Sequence, residues 1–332
     1  MNKILALVAG AWAGVMAHAQ SNATLYGRMD SGLGNGNGGY YEGKNSKGFS
    51  EILGGGVTPI WGIRGKEDLG GGLSASYALE WAIVNQKVGS ARLSTVGLRS
   101  NWGQIDLGRM QTLANTTLGE YDLGWSPNRG GAFSLAGVTG VNQKILTSIR
   151  ARQSDQIRFI SPNMGGVTIR GSYVFKGDRG FTQENRNVDN LFSVAGTYKK
   201  EKLSIGLAHE SKLDNTLGSS NAWGTGVRYD FGSFVAAATY FDNHYDSDGK
   251  GYGLSVLVPI GALNVGLQYA WNRGAIVDKK SVKPAVVGFF SNYYLSKRTS
   301  LYFNAGRMNE DARIYQTAGR RGSWATGITH NF

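Results

Sequence analysis

Single arginines among alternating apolar residues are the side chains with the most evident chemistry. Leu25 and Met29 share one parity and Arg28 the other, so a strand here would carry its charge on one face and its apolar groups on the other. A guanidinium group stays charged and donates five hydrogen bonds, which suits it to attract small anions. Similar alternation puts these arginines on the polar, inward face of predicted strands: Arg28, Arg64, Arg99, Arg152 and Arg158.

Arg109 departs from this pattern. It shares the parity of Ile105 and Leu107, so regular alternation would turn it to the apolar face. It also follows Gly108, at the end of a predicted strand, where a β-bulge would redirect it. We therefore expect Arg109 to join the inward arginines through a bulge.

The residue types give little evidence for a catalytic site or a cofactor-binding site. The chain has no cysteine, which removes thiolate metal sites and cysteine nucleophiles. Gly34, Gly36 and Gly39 have the spacing of a dinucleotide-binding loop, but the residues after them read as a loop and not as the helix that this motif needs. No Ser/His/Asp set and no zinc-ligand spacing stands out. We expect no enzyme activity, no cofactor and no metal site.

Alternation and turn signals predict an all-β chain of sixteen antiparallel strands. The alternating segments are about 9–11 residues long, the span of a tilted strand in a bilayer. Seven short turns separate them, at 69–72, 100–103, 161–166, 199–202, 230–233, 259–262 and 296–299. Eight longer connections lie between the turns, at 32–56, 84–91, 110–150, 177–189, 211–221, 242–250, 273–283 and 308–322. Such a chain closes into a transmembrane β-barrel with both termini at the rim of short turns.

The composition fits a barrel better than the alternatives. No segment offers the run of about 18 apolar residues that a membrane helix needs. The net charge is +12, which could indicate a nucleic-acid partner, but the basic residues stand singly and form no runs. We therefore expect no nucleic acid to bind.

Both ends of the chain carry signals of export and of barrel formation. Lys3 precedes the apolar run 4–16, and small residues at Ala17 and Ala19 frame a cleavage position. We expect residues 1–19 to be a signal peptide and residues 20–332 to form the barrel. The last segment alternates and ends on Phe332, which is typical of a final barrel strand.

The third long connection, 110–150, is the longest, and loops of this length usually have a function or are disordered. Folded inward, it would narrow a wide barrel; the alternative is a lid outside the barrel. Its carboxylates Glu120 and Asp122, placed opposite wall arginines, would set up a field that orders water and selects solutes. Because cations outnumber acids on the inward parity, we expect a positive lumen. The alternative is that the arginines only pair with wall acids such as Asp30, Glu80 and Asp106.

Taken together, these residues resemble the trimeric general porins of Gram-negative outer membranes, most closely their betaproteobacterial and neisserial branch. The similarity runs from about Thr24 to Phe332. It is carried by Thr24-Leu25-Tyr26-Gly27, the segment from Gly62 to Leu73, Leu107-Gly108-Arg109, the segment from Ile157 to Asn163, the segment from Leu295 to Thr299, and Phe332. These motifs are specific as a set, and each one alone is weak.

The resemblance implies a sixteen-stranded barrel whose third loop bends into the lumen, assembled as a homotrimer. It implies constriction roles for Arg28, Arg109, Arg152 and Arg158, and a signal for the barrel-assembly machinery at Phe332. Two departures stand out. Pro59-Ile60-Trp61 occupies a site where the family carries an arginine, a loss for which Arg64 is expected to compensate. Gly119-Glu120-Tyr121-Asp122 stands in for the family's acidic loop stretch.

Three functions follow as candidates. The first is passive diffusion of small hydrophilic solutes and ions through the outer membrane, with a preference for anions. The second is a substrate-specific channel for a small organic acid anion, and the third is a structural or adhesive barrel without conductance. The expected partners are a homotrimer, outer-membrane lipid and lipopolysaccharide, the barrel-assembly machinery and small anionic solutes.

Overall fold

The computed structural model describes residues 22–34, 50–53, 57–84, 87–124, 152–175, 190–212, 221–243, 249–277, 280–315 and 321–332. The predicted signal peptide 1–19 and residues 125–151 of the third connection lie outside these ranges. Two α-helices are described, α1 (Leu113–Leu118) and α2 (Glu310–Tyr315), and a 3-10 helix follows α1 at Gly119–Tyr121. Neither described α-helix is long and apolar enough to cross a membrane.

The described residues form nineteen strands, of which sixteen make up the wall. The wall strands are β1 (Asn22–Gly34), β3 (Ile60–Gly70), β4 (Leu73–Val84), β5 (Lys87–Ser100), β6 (Gly103–Gln111), β7 (Arg152–Ile160), β8 (Val167–Val174), β9 (Leu191–Lys200), β10 (Leu203–Lys212), β11 (Asn221–Asp230), β12 (Val235–Asn243), β13 (Gly249–Ile260), β14 (Leu263–Arg273), β17 (Ala285–Tyr294), β18 (Thr299–Met308) and β19 (Gly322–Asn331). The short strand β2 (Ser50–Leu53) pairs with the far end of β1, and β15 (Ala275–Val277) pairs with β16 (Lys280–Val282).

The sheet closes on itself between its first and last strands. β1 pairs antiparallel with β3 on one side and with β19 on the other. The backbones of Gly27 and Phe332 exchange two hydrogen bonds, N–H to O at 3.1 and 3.0 Å, so the pairing continues to the last residue. Closure satisfies the backbone groups of the edge strands, as a chain surrounded by lipid requires. The predicted sixteen-stranded antiparallel barrel is confirmed.

Side chains from both sides of this seam meet at Asp30, which is fully buried. Its carboxylate accepts hydrogen bonds from Thr329 Oγ1 at 2.5 Å and from the Tyr302 hydroxyl at 3.1 Å. The backbone N–H of Val57 also donates to it, at 3.1 Å. A single acid of β1 therefore ties together β18, β19 and the approach to β3.

The seven predicted short turns are found at one end of the wall, which we call the turn rim; the other end is the loop rim. The turn between β3 and β4 depends on glycine, because Gly70, Gly71 and Gly72 have φ values of 80°, 60° and 77°. One long connection is shorter than expected. The sequence predicts a loop over residues 84–91. Strands β4 and β5 instead remain paired through register shifts near Trp81, as far as the pair formed by Val84 and Lys87.

The two faces of the wall have opposite character. Leu25, Leu207 and Leu267 point outward and are 53–62 % exposed. Polar residues of the alternate parity, such as Asn304 and Gln156, are almost fully buried inside. This inversion of the pattern of water-soluble domains is what a lipid-facing exterior and a polar interior require.

The described part of the third connection contacts the inward face of the wall on the far side from β6. Helix α1 begins after Thr112, whose side chain accepts from Asn115 N. Leu118 lies against Gly224 of β11, and the hydroxyl of Tyr121 is 3.1 Å from Ser204 Oγ of β10. Leu123 N donates to Ser255 Oγ of β13 at 3.4 Å.

Candidate pore constriction

A network centred on Glu80 joins four neighbouring wall strands on the inner face. Glu80 accepts from Arg92 Nε at 2.7 Å and from the Tyr26 hydroxyl at 3.2 Å. The guanidinium carbon of Arg64 lies 4.9 Å from the centre of the Tyr26 ring, within cation–π range. The side chains of Arg92 and Glu80 are 16 % and 10 % exposed, so their ion pair is largely shielded from water.

Arg92 is not among the arginines predicted from the sequence. Val96 and Leu98 face outward, so unbroken alternation along β5 would send Arg92 outward as well. The register instead passes from Glu80–Leu93 to Trp81–Ala91, which leaves Arg92 as an extra residue in a bulge. The bulge turns Arg92 toward Glu80. No pattern in the sequence marks this bulge. The one signal for it is that Glu80, an inward-facing acid, needs a basic partner.

Arg28 faces inward, as predicted, and it lies beside this network. Its Nε donates to the carbonyl oxygen of Thr58 at 2.8 Å, and its charge interacts with those of Arg92, Glu80 and Asp30. Asp30 is already held by the donors of the barrel seam. Arg28, Arg64 and Arg92, which we call the arginine cluster, therefore outnumber the nearby acids.

Arg99 faces inward but lies apart from the arginine cluster. It precedes the tight turn between β5 and β6, at the turn rim, and it is exposed. Its Nε donates to Gln104 Oε1 at 2.9 Å, and Gln104 in turn donates to Asp106 at 2.7 Å. Arg99 therefore belongs to a polar chain at the exit of the lumen.

Arg158 faces inward and is nearly buried. It pairs across strands with Asp106 and donates to Gln156 Oε1 at 3.0 Å and to the carbonyl oxygen of Gln111. Gln111 is the last residue of β6, so Arg158 braces the start of the third connection. The position of Arg158 is therefore consistent with two roles. It can hold the third connection in place, and it can contact solutes in the lumen.

The prediction that Arg152 points inward is wrong. Asp155 has a φ of 51° and lies in an irregularity where Gln156 pairs with Gly108 but Gln153 pairs with Met110. The extra residue in β7 reverses the parity beyond it. Gln153 and Met110 are buried inside, and Arg152 takes the opposite face.

The prediction that a bulge turns Arg109 inward is also wrong, because the extra residue belongs to β7 and not to β6. Arg109 pairs with Ser94, and Ser94 pairs with the outward-facing Leu79. Directly paired residues share a face of the sheet, so Arg109 remains on the outward side. It donates to the carbonyl oxygen of Ala91 at 2.8 Å and to Ser154 Oγ at 3.0 Å.

The two loop acids do not face the arginine cluster. Glu120 forms an ion pair with Lys199 of β9, with Oε2 and Nζ 2.5 Å apart. Asp122 is 5 % exposed and lies in a small polar pocket with Ser255 and Gln268, on β13 and β14. Both acids thus contact the wall on the opposite side of the barrel from β1, β3 and β5.

Phe332 lies on the outward face, as predicted, and its ring covers Gly27. A Cβ atom at residue 27 would lie 2.9 Å from Cε2 of that ring, so only glycine leaves space for it. Among the described residues, no group of three or more histidines and acids could hold a metal ion.

A closed barrel with an apolar exterior, a polar interior and an excess of arginine on one inner wall defines a transmembrane β-barrel built to let polar solutes pass. Comparison with known proteins identifies the family of transmembrane barrels to which the chain belongs. The chain belongs to the Gram-negative porin family, whose model matches residues 5–313. It is therefore a protein of the outer membrane, and its relatives are channels and not enzymes.

Individual relatives support this assignment. The chain is 31 % identical over 338 residues to outer membrane porin protein 32 of Delftia acidovorans, covering 94 % of this chain and 91 % of that protein. It is 28 % identical to an outer membrane porin protein of Bordetella pertussis, over 77 % of this chain and 72 % of that one.

Solved structures agree. The anion-selective porin from Comamonas acidovorans is 25 % identical with a TM-score of 0.72, covering 94 % of this chain and all of that one. OmpT of Vibrio cholerae, in its trimer form, is 13 % identical with a TM-score of 0.66, over 94 % and 99 % of the two chains. This second likeness concerns the fold alone.

Proposed function

We propose that this chain is a diffusion pore of the outer membrane that passes small hydrophilic solutes and prefers anions. The observation that carries the preference is the arginine cluster, in which Arg92 pairs with the one shielded acid, Glu80, while Arg28 and Arg64 lie beside this pair. Fixed positive charge on a water-filled wall raises the local concentration of anions and lowers that of cations. The similarity to an anion-selective porin supports the same conclusion.

The third connection is the second part of this proposal. Its described segment contacts the inner face of β10, β11 and β13, so we infer that it occupies part of the lumen. Solutes would then pass on the remaining side, along β1, β3 and β5. This arrangement brings them close to the arginine cluster, although the loop acids are engaged elsewhere.

The test is the zero-current potential of the reconstituted protein across a KCl gradient. We expect chloride to be preferred to potassium, and Arg92→Ala or Arg64→Ala to weaken that preference. Arg313→Ala is a matched control, because Arg313 lies in α2 beyond the wall and pairs with Glu310. Selectivity for potassium in the unmodified protein would contradict the proposal.

A channel with a binding site for one small organic acid anion is the second candidate. The observation in its favour is that Arg28, Arg64 and Arg92 lie within four neighbouring strands, on β1, β3 and β5, where they could hold a carboxylate between them. Saturable block of the ion current by a dicarboxylate at micromolar concentration would favour this function. A current that falls only in proportion to solute concentration would favour simple diffusion.

Several expectations about biogenesis and partners belong to the same proposal. Residues 1–19 act as a cleaved signal peptide, and the barrel assembles as a homotrimer in contact with outer-membrane lipid and lipopolysaccharide. The trimer form of OmpT, which has the same fold, supports the oligomeric state. Phe332 serves the barrel-assembly machinery as a recognition residue. Mass spectrometry of the mature N-terminus and light scattering of the detergent-solubilised protein test the first two points.

A further inference from the structure

A small polar pocket lies between the third connection and the wall at strands β12, β13 and β14. It is lined by residues with side-chain oxygen atoms, Asp122, Thr239, Ser255 and Gln268, and by Tyr121 of the loop. The space inside is about 10 Å³ for the centre of a water-sized sphere, which is room for one water or one bare ion. The pocket therefore takes a guest of atomic size.

Gln268 is the residue that points to such a guest. It is 5 % exposed, and its Oε1 atom accepts no hydrogen bond from any residue that the structure describes. Its amide group lies against Gly124, where a Cβ atom would come within 2.7 Å of Cδ, so the side chain is held beneath the loop. A buried oxygen without a donor costs about 1–3 kcal/mol. A guest that brings positive charge to this oxygen would offset that cost.

The other groups of the pocket also present oxygen atoms. Asp122 is nearly buried, and its carboxylate accepts from Gly124 N at 3.2 Å. Ser255 Oγ accepts from Leu123 N and donates to the carbonyl oxygen of Tyr121, each at 3.4 Å. No basic side chain is among the lining residues in the described part of the chain. One carboxylate, one amide oxygen and two hydroxyl oxygens thus surround a space that favours a cation.

We propose that this pocket binds a calcium ion, which ties the third connection to the wall. Calcium takes about six to eight oxygen ligands in a flexible geometry, including carboxylates, amide carbonyls and water. Magnesium demands a near-ideal octahedron and gives up its waters reluctantly, so it suits a confined site less well. A site of one acid and several neutral oxygens has no spacing motif, and the proposal departs in this respect from the expectation of no metal site.

The presence of a single acid makes the expected affinity low. Calcium affinity rises with the number of carboxylate ligands, and weak extracellular sites have dissociation constants of about 10⁻⁴–10⁻³ M. Arg170 and Arg228 interact electrostatically with the Tyr121 hydroxyl, and their charge opposes a cation nearby. We therefore expect binding at millimolar calcium. This inference rests on the proposed place of the third connection in the lumen, and it adds a ligand that holds the loop there.

The test measures metal binding on the full barrel, purified in a non-ionic detergent and freed of lipid and metal. Terbium(III) is the luminescent probe, because it takes the same oxygen ligands as calcium and is excited through nearby tyrosine rings. Tyr121 and Tyr269 both line the pocket. Calcium should displace terbium and quench its luminescence. The unfolding temperature with and without calcium is the second readout.

Three variants separate this pocket from other acids of the protein. Asp122→Asn should weaken calcium binding about ten-fold or more, because it removes the charged ligand. Gln268→Glu adds a second carboxylate and should tighten binding about ten-fold, with lower stability when calcium is absent because two buried carboxylates repel each other. Asp242→Asn is the matched control, since Asp242 is a buried acid of β12 that pairs with Lys250 and does not line the pocket.

Opposite responses of Asp122→Asn and Gln268→Glu, with an unchanged Asp242→Asn, would support the site. Equal luminescence from all three variants would overturn it, and so would displacement of terbium by magnesium as readily as by calcium. A rise in unfolding temperature that sodium chloride reproduces at equal ionic strength would also overturn it, because the effect would then be screening.

Recordings of ion current on the same preparations test the anchoring of the loop and the pore function separately. Calcium should reduce the noise of the open channel in the unmodified protein and not in Asp122→Asn, because the ion holds the loop segment against the wall. Terbium luminescence and unfolding do not depend on ion flow. A barrel that binds calcium but does not conduct would therefore contradict the pore function and leave the metal site standing.

Discussion

The aromatic ring of Tyr121 lies directly over Gly206, and a Cβ atom at residue 206 would come within 2.6 Å of its Cε2 atom. Burial raises the pKa of the Tyr121 hydroxyl, so this residue stays neutral while its oxygen contacts Ser204. The Tyr121 ring thus packs into the space that Gly206 leaves on the wall, and this contact helps to hold a short segment of the third connection there.

Replacing Gly206 by alanine should displace the loop segment. The added methyl group meets the Tyr121 ring, and overpacking of this kind costs about 1–3 kcal/mol. Because the loop segment is held by side-chain contacts and the wall by a continuous ladder of backbone hydrogen bonds, the loop should move, and single-channel conductance and its noise should rise. Gly196→Ala is the matched control, since a Cβ there meets nothing within 4 Å. Equal recordings from both variants would show that Tyr121 does not fix the loop.

Neutralising Glu80 should strengthen the preference for anions. Glu80→Gln keeps one oxygen that can accept from Arg92, places an amide NH2 group that can donate to the Tyr26 hydroxyl oxygen, and removes the negative charge beside the guanidinium groups. One charge a few ångströms away is worth up to about 1 kcal/mol in water, so the anion-to-cation permeability ratio should rise about two- to five-fold. Reversal potentials in KCl measure this ratio. Glu201→Gln, in a tight turn outside the lumen, should leave it unchanged.

Arg28 and Arg109 should behave differently although both were expected in the constriction. Arg28→Ala removes a charge beside Glu80 and should lower the anion preference by a similar factor of about two to five. Arg109→Ala removes an outward-facing charge and should leave the reversal potential unchanged. A pair of equal effects would mean that the register of β5 and β6 does not hold in the membrane.

Removing the carboxylate of Asp30 should weaken closure of the barrel. Asp30→Ala leaves the hydroxyls of Tyr302 and Thr329 and the N–H of Val57 without their acceptor. Each buried polar group left unsatisfied costs about 1–3 kcal/mol. The temperature at which the barrel unfolds in detergent should therefore fall clearly. Tyr302→Phe should cause a smaller fall, because it removes a single donor and Asp30 keeps the others.

Much of the fold could be predicted because its signals are local. A strand reverses the direction of its side chains at every residue, so lipid-facing and inward residues can be separated by counting. Tight turns between strands carry glycine, asparagine and aspartate at short spacing. These two features predicted the strand number, the closing pair of strands, and the inward faces of Arg28, Arg64, Arg99 and Arg158.

The placement of other charges could not be counted in this way. One extra residue in a strand moves every later side chain to the opposite face, and the sequence does not mark where a bulge occurs. The bulge at Arg92 brings an unpredicted arginine to Glu80. The bulge near Asp155 turns Arg152 to the outward face. Because this bulge is in β7 and not in β6, Arg109 also stays on the outward face.

The sequence by itself determined that this chain is a closed transmembrane barrel with a basic interior, because the period of two and the turn residues act over short distances. Only the tertiary structure decided which charges meet. Glu120 reaches Lys199, and Tyr121 reaches Gly206, across about 80 residues of chain. Such contacts depend on how strands far apart in sequence curve around a common lumen, and no local pattern records that geometry.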